Sequence, residues 1–510
     1  MRNLLMGIDI GTSACKVALF RSDGEVAAQC GAKYPVYYPR PGWAEQNPEE
    51  WWQAVCGTVR EALEKARVKP GEVFAVGVDG QSWSAIPVDR EGNVLCNTPI
   101  WMDTRAEGIC EGLEKEMGGG RIFGVSGNPL QGAYTGPKVL WYKTFRPEVY
   151  EKTAYILQSN SFIVYKLTGE YSQDESQGYG WFCFNTKSKK WDIELCQEAG
   201  LNPRFLPEIY PCHQVVGVVT RQAAALTGLQ EGTPVVAGGL DAACGTLGAG
   251  VIQPGQTQEQ GGQAGGMSIC LDTYTADKRL ILSAHVVPGR WLLQGGTVGG
   301  GGVVRWLEQE LGAKEKELAA RNNTNPFLEL DKAAEAVPAG SEGVVFLPYM
   351  SGERSPIWDA KAKGVFYGLD FSKTRGHLYR AGMEGVAFSL RHNLEAAESA
   401  GARTEVLRAV GGAANSPLWT QIKADVTGKP IVVPEADAAT TLGAAILAGV
   451  GTGAYKSFEE AVSAAVTIKR TYEPDEKNRA VYDRGYGVYR ALYEKIRDIP
   501  YSYPSPDVDG

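Results

Sequence analysis

The sequence is short of the side chains that most often mark a metal centre, a disulfide framework or a nucleic-acid surface. Four histidines and ten cysteines, with no CxxC pair, leave little from which to build a zinc site or a disulfide scaffold. No run of lysine and arginine stands out and the net charge is −8, so no nucleic-acid partner is expected. The opening MRNLLMGIDIGTS reaches Asp9 before any long apolar stretch forms, and it does not read as a signal peptide. The longest uncharged stretch, 438–455, is diluted by Gly, Thr and Ala. It reads as a buried helix and turn, so no membrane partner is expected and a cytoplasmic location is the default. GxxxxGK[ST] does not occur, and no GxGxxG sits in a strand-to-helix crossover. A nucleotide site must therefore be of another type.

What is plentiful is glycine, 63 residues in 510, much of it in short clusters in mid-chain where backbone can approach a ligand. The length suffices for two domains with proper cores. Segments 7–10, 16–20 and 26–29 read as three strands of a hairpin meander, not a strand-to-helix crossover. Asn47-Pro48-Glu49-Glu50 opens a helix, with Asn as cap, Pro in the first turn and acids following. Residues 73–78 form a buried strand ending at Asp79. A fainter version of the opening hairpin returns at 260–271, after a strand at 234–238. The chain thus reads as two related α/β halves, 1–250 and 251–510. Gly299–Gly302 and Gly411-Gly412 each precede a helical pattern. The polar tail 500–510 reads as frayed.

Phosphoryl transfer to an alcohol needs backbone donors and magnesium on the triphosphate, and a carboxylate to take the hydroxyl proton. In Gly7-Ile-Asp9-Ile-Gly11-Thr12-Ser13 the glycine turn can form an anion-binding concavity, Thr12 and Ser13 add hydroxyls, and Asp9 can hold magnesium through water. The same pattern also suits an ordinary hairpin. Asp241 follows a strand and Gly238-Gly239 and precedes small residues that leave room for a substrate; it suits equally a helix N-cap. Either glycine turn before a helix could face phosphate or be plain architecture. Among Trp43, Trp51, Trp52, Trp83, Trp101 and Trp181, core packing accounts for most. Trp83 and Trp101, just beyond strands and beside polar residues, are the candidates to stack on a sugar.

These motifs resemble, in order from 7 to about 453, those of the FGGY carbohydrate kinases. GIDIGTSACKVALF (7–20) is similar to the family's first phosphate motif. PGWAEQNPEEWW (41–52), VDGQSW (78–83) and IWMDTRA (100–106) are similar to its sugar-site segments, and GPKVLWY (136–142) to its first signature. GGLDAACGTLG (238–248) resembles the segment with the catalytic aspartate. LPYMSGERSPIWDAKAKGVFYGL (347–369) with HLYRAGMEG (377–385) resembles the second signature, and AVGGAANSPLWTQIKADVTGKPI (409–431) the adenosine segment. The resemblance implies an α/β protein of two actin-like ATPase domains of RNase-H-like topology with an interdomain cleft. It implies ATP and Mg2+, with Asp241 as catalytic base and Asp9 at the metal. Gly11, Thr12, Ser13, Lys16, Gly262 and Gln263 would face the phosphates, Gly301 the nucleotide, and Gly412 and Asn415 its adenosine end. Gln81, Ser82, Trp83 and Trp101, with Asp241, would contact the acceptor, a small sugar or polyol.

The chain departs from the pattern at Gln263, where the family usually has a hydroxyl residue, and at Ala133, Tyr142 and Gly382. Glycerol kinases have Arg-Glu where this chain has Ser82-Trp83, and xylulokinases Met-His; the match around 352–356 leans to the xylulokinase side. A pentulose such as xylulose is the leading expectation for the acceptor. An actin-like ATP-binding protein, or a sugar-binding relative with weakened catalysis, are the alternatives. Family members are often dimers, which makes a homodimer an expectation that no residue here encodes.

Overall fold

A computed structural model describes residues 4–435 and 438–499. The tail expected to fray, 500–510, lies outside the described residues. In chain order the elements that matter for the site are β1 (Leu4–Ile10), β2 (Ala14–Phe20), β3 (Val26–Lys33), α1 (Pro48–Ala66), β4 (Val73–Gly80), α2 (Thr135–Phe145), β5 (Pro234–Val236) and α3 (Asp241–Gly248). They continue with β6 (Gln256–Gly261), β7 (Gly265–Leu271), β8 (Trp291–Thr297), α4 (Gly301–Leu311), β9 (Val406–Val410), α5 (Pro417–Thr427), β10 (Ile431–Pro434) and α6 (Ala439–Gly451).

The chain forms two compact units, each assembled from three segments. One comprises Met1–Gln256, Ser268–Leu293 and Pro434–Ile468, the other Thr257–Met267, Gln294–Val433 and Lys469–Gly510. This partition follows packing and corresponds to no single cut of the chain.

In the first unit the expected meander is present: β1 pairs antiparallel with β2, and β2 with β3. β4 lies parallel to β1 on its other side, and β5 parallel to β4, giving the order β3-β2-β1-β4-β5. All seven residues of β1 are buried, as expected for a central strand covered on both faces. α1 begins as its sequence indicates, with the Asn47 side chain accepting the Glu49 amide at 3.0 Å and Pro48 in the first turn. Trp51 and Val55 of α1 then pack with Ile8, Val17 and Val76 in one core cluster.

A second sheet contains the run β8-β7-β6-β9-β10. Numbering each set by chain order, this is the same third-second-first-fourth-fifth arrangement as in the first sheet, so the repeat glimpsed at 260–271 is a repeat of topology. In the second unit α5 buries Ile422 and Val426 in a core with Val303 and Leu307 of α4, the apolar positions that marked both helices. A buried ion pair, Lys423 Nζ to Glu259 Oε1 at 2.6 Å, ties α5 to β6.

The uncharged stretch becomes α6, buried from Thr441 to Gly449. Among the described residues no helix is long and apolar enough to cross a membrane. All ten cysteines are unpaired. α6 packs against β1, β4 and α3 at backbone distance, with glycine at each approach. A Cβ on Gly7 would strike the Thr441 carbonyl, one on Gly77 that of Ala444, one on Gly443 that of Cys244 and one on Gly248 that of Ala439. Since the obstacle each time is main chain, no rotamer change relieves it. Gly443→Ala should therefore destabilise by roughly 3 kcal/mol or more. Urea unfolding checks this, and a loss below about 1 kcal/mol would mean that the helix can shift without cost.

Candidate active site

β1 ends in the turn Gly11–Ser13, closed by the Gly11 amide donating to the Ala14 carbonyl at 3.2 Å. Thr12 is half-buried and Ser13 exposed. The hairpin register sets Lys16 opposite Asp9, and Lys16 Nζ lies 3.3 Å from Asp9 Oδ2. Asp9 itself is 4% exposed. Its burial raises the carboxyl against the lowering pull of Lys16, and Asp9 in turn raises the Lys16 ammonium.

Strand pairing then gathers further acid. Asp9 stands opposite Asp79 across β1 and β4, and Asp79 opposite Gly239, two residues before Asp241. Asp79 is fully buried, no N–H or hydroxyl donor reaches its carboxyl, and the polar group it meets is the Asp9 carboxyl, to which a protonated Asp79 can donate. Burial, then Asp9 and Asp241, push its pKa well up. Asp241 is the first residue of α3; the cap position falls to Leu240, and Asp241 Oδ1 accepts the Ala242 amide at 2.6 Å. Burial, and after it the charge of Asp9, push the Asp241 carboxyl to about 7. Three carboxyls held this close cannot all ionise. Asp79, which has no donor, is the one best placed to keep its proton.

The candidate acceptor residues sit in the same unit. Gln81 Nε2 donates to Gln46 Oε1 at 2.7 Å, while Gln81 Oε1 is buried without a partner. Ser82 and Trp83 are half-buried. Trp83 has φ +59°, a left-handed backbone that a bulky residue adopts only under constraint. Its ring centroid lies 4.7 Å from that of Tyr134 and 5.7 Å from that of Tyr179. Trp101 Nε1 donates to Thr12 Oγ1 at 2.9 Å, joining an acceptor candidate to the turn Gly11–Ser13. The other tryptophans are structural: Trp51 and Trp181 are fully buried, Trp52 nearly so, and Trp43 lies under the Arg105 guanidinium at 3.8 Å.

In the second unit Gly262, Gln263, Gly301, Gly412 and Asn415 all line one cavity of about 390 Å³, together with Phe327, Met383 and Trp419. That size and mixture of apolar walls and polar edges suits a nucleoside. The first amides of α4 are not open donors, however. Gly301 N donates to the Gly262 carbonyl at 2.7 Å and Gly302 N to that of Gln263 at 2.9 Å, so the helix start holds its own loop. α5 is capped by Ser416, which accepts the Trp419 amide at 3.1 Å and donates to Asp331 at 2.7 Å.

Asp79, Tyr134, Tyr179 and Lys138 escaped the sequence reading as site residues. Asp79 carried a signal: like Asp9 it is an acid closing an otherwise apolar strand, FAVGVDG beside LLMGIDIG. The other three depend on tertiary neighbours. As to a metal, among the described residues no group of three or more His, Cys, Asp or Glu is arranged to hold one. A divalent cation here would take few protein ligands and complete its shell from phosphate and water, the usual habit of Mg2+. Asp9, incompletely answered by Lys16, fits such a partial site.

Two family models cover most of the chain: "FGGY family of carbohydrate kinases, N-terminal domain" matches residues 4–248, and the corresponding C-terminal domain 271–452. A xylulose kinase of Bacillus subtilis is 29% identical over 501 residues, 97% of each chain. A gluconokinase of the same species is 30% identical over 484 residues, 94% of each. The crystal structure of a xylulose kinase from Rhodospirillum rubrum is similar with a TM-score of 0.88 at 30% identity, covering 97% of this chain and 99% of that one.

The raised carboxyls have a consequence for stability. Asp79 and Asp241 hold protons in the folded state that the unfolded chain releases near 3.8, so stability falls as pH climbs above about 4, for Asp241 until about 7. Asp79→Asn and Asp241→Asn should each raise the melting temperature most at pH 8, less at pH 4.5, and not at all well below pH 3.8, where the unfolded carboxyl also holds its proton. Thermal melts across that range check the sign; a difference independent of pH would remove the burial argument.

Proposed function

This chain belongs to the FGGY family of carbohydrate kinases and is an ATP-dependent sugar kinase; from that premise we propose that it phosphorylates a hydroxyl of a pentulose such as xylulose, with Asp241 as the base. The acceptor oxygen bonds to the terminal phosphorus of ATP, its proton passes to Asp241, and the bridging bond breaks to release ADP. The observation that carries the assignment is the Asp241 carboxyl at the head of α3, poised near neutrality by burial and by Asp9. A base of that pKa is half-ionised at working pH and still strong enough to take the proton as the alcohol attacks.

The remaining roles follow the chemistry of each group. Gly11, Thr12, Ser13 and Lys16 offer amides, hydroxyls and an ammonium to the phosphates, with Gly262 and Gln263 as a second phosphate loop. Gly301, Gly412 and Asn415 take the nucleoside in their cavity. Asp9 would hold Mg2+, whose charge neutralises phosphate oxygens during transfer. Gln81, Ser82, Trp83 and Trp101 read the acceptor.

Relatives named xylulose kinase and gluconokinase differ in acceptor charge, one neutral and the other a carboxylate. The cations within 78–83, 100–106 and 134–142 are Arg105 and Lys138. Arg105 is committed to Asp103 and Glu45, its Nη2 2.7 Å from each, and Lys138 to backbone carbonyls at 3.0 and 2.7 Å. With those charges spent and the Asp241 carboxyl close by at the head of α3, a neutral keto-sugar suits the site better than an aldonate.

A coupled assay with pentuloses, polyols and gluconate tests this, and preference for gluconate would overturn the acceptor assignment. Asp241→Asn should lower kcat by on the order of 10²- to 10⁴-fold while ADP binds as before. In the wild type kcat/KM for the acceptor should rise with pH through about 7 as the base loses its proton. Near-normal turnover by the Asn variant would remove Asp241 from the role.

A further inference from the structure

Residues 83–85, beyond the end of β4, hold their carbonyls out to a helix instead of a strand. Three side chains of α2 receive them at spacings of three and four residues, which places them on one helix face. Thr135 Oγ1 donates to the Ser84 carbonyl at 3.3 Å, Lys138 Nζ to that of Trp83 at 3.0 Å, and the Tyr142 hydroxyl to that of Ala85 at 3.1 Å. Lys138 also reaches a second segment, donating to the Ile100 carbonyl at 2.7 Å. The two carbonyls it joins belong to Trp83 and to the residue before Trp101.

Lys138 is an unusual choice for a structural link. It is fully buried, and it is paired with no carboxylate. Burial drives its ammonium down to about 7 against the pull of Asp103. An apolar residue would remove that penalty, so the amine is retained at a cost to stability. The Trp83 backbone needs what it gives. A left-handed φ on a tryptophan persists only where its surroundings over-determine it. Gly180 lies against the indole, where any Cβ would collide with Cδ1, and Tyr134 and Tyr179 close the other contacts. At Ile100 the tie extends through Trp101 Nε1 to Thr12 Oγ1 of the phosphate turn.

We propose that Lys138 is a positioning residue for the acceptor: one buried ammonium joins the two aromatic-bearing segments and thereby sets Trp83 and Trp101 as a single sugar-reading surface. The inference rests on the acceptor roles assigned above to those two tryptophans. It goes further in making their geometry depend on a residue that touches no substrate. It also distinguishes the lysine from its neighbours on α2, since Thr135 and Tyr142 each hold one carbonyl of one segment only.

The test uses Lys138→Met, which keeps length and apolar bulk but donates nothing, and Lys138→Gln, which can serve one carbonyl. Titration calorimetry measures the dissociation constants of xylulose and of ADP on the same preparations. The acceptor constant should rise by on the order of 10- to 100-fold in the Met variant and less in the Gln variant. ADP, bound in the other unit, should keep its constant within about twofold, which also reports a folded chain. An unchanged acceptor constant in the Met variant overturns the proposal. If the wild type binds no xylulose, the acceptor assignment fails, and Lys138 is then judged by hydrogen exchange: amides of 83–86 and 100–103 should exchange faster together in the Met variant. Unaltered exchange there overturns the positioning role. Should neither variant fold, wild-type exchange decides, because the two segments must open as one unit and separate opening contradicts the link.

Discussion

Parallel pairing of β1 with β4 sets Asp9 against Asp79, and the same pairing carried on to Gly239 brings Asp241 to the same end of the sheet. Everything chemical in the first unit depends on that register. A slip of one residue would turn every side chain of a strand to the opposite face, separating Asp9 from Lys16 as well as from Asp79. The register is in turn held by α6, whose backbone meets β1 and β4 through Gly7 and Gly77 and meets α3 through Gly248 and its own Gly443. Main-chain contact on both sides leaves α3 little freedom to slide, so the carboxylate at its first residue has a defined place.

The site is paid for in stability. A buried acid without a donor at Asp79, a second carboxyl raised at Asp241, a tryptophan in left-handed backbone and a lysine without a counter-ion each cost free energy that an inert core would not spend. They occur together in one unit, around residues 79–83, 138 and 241, while the cores beneath are assembled from aliphatic and aromatic side chains in ordinary packing. Strain concentrated at a few positions over a well-packed framework is the pattern expected where geometry serves a ligand.

The parts of this arrangement that local chemistry determines were legible in the sequence. The meander at 4–33, the capped start of α1 and the apolar stripes of α4 and α5 all follow from patterns a few residues long. Gly262, Gln263, Gly301, Gly412 and Asn415, drawn from three separated segments, do line one cavity. That Asp241 heads its helix, with Leu240 as the cap, turns on one residue of backbone geometry. Lys138 and Tyr134 were opaque for a different reason: a lysine or tyrosine on a helix is ordinarily solvated or simply packed, and only the fold reveals which carbonyls or rings it meets. The interleaving of segments between units was likewise hidden, since 434–468 joins the first unit through contacts with residues more than 400 positions away.

The two sheets share a strand order yet treat their central acids in opposite ways. On β1, Asp9 meets an exposed lysine at 3.3 Å and a second buried carboxyl, Asp79, that no N–H or hydroxyl donor reaches, so its charge is incompletely answered. On β6, Glu259 Oε1 accepts Lys423 at 2.6 Å, both side chains almost wholly buried, while its Oε2 is buried without a partner. A tight pair with a buried lysine is electrostatically quiet at a distance, whereas an acid whose lysine is solvated and farther off keeps a field that a cation or a proton can satisfy. The repeated topology thus provides one scaffold twice, and the two copies differ in how the acid on the central strand is paired.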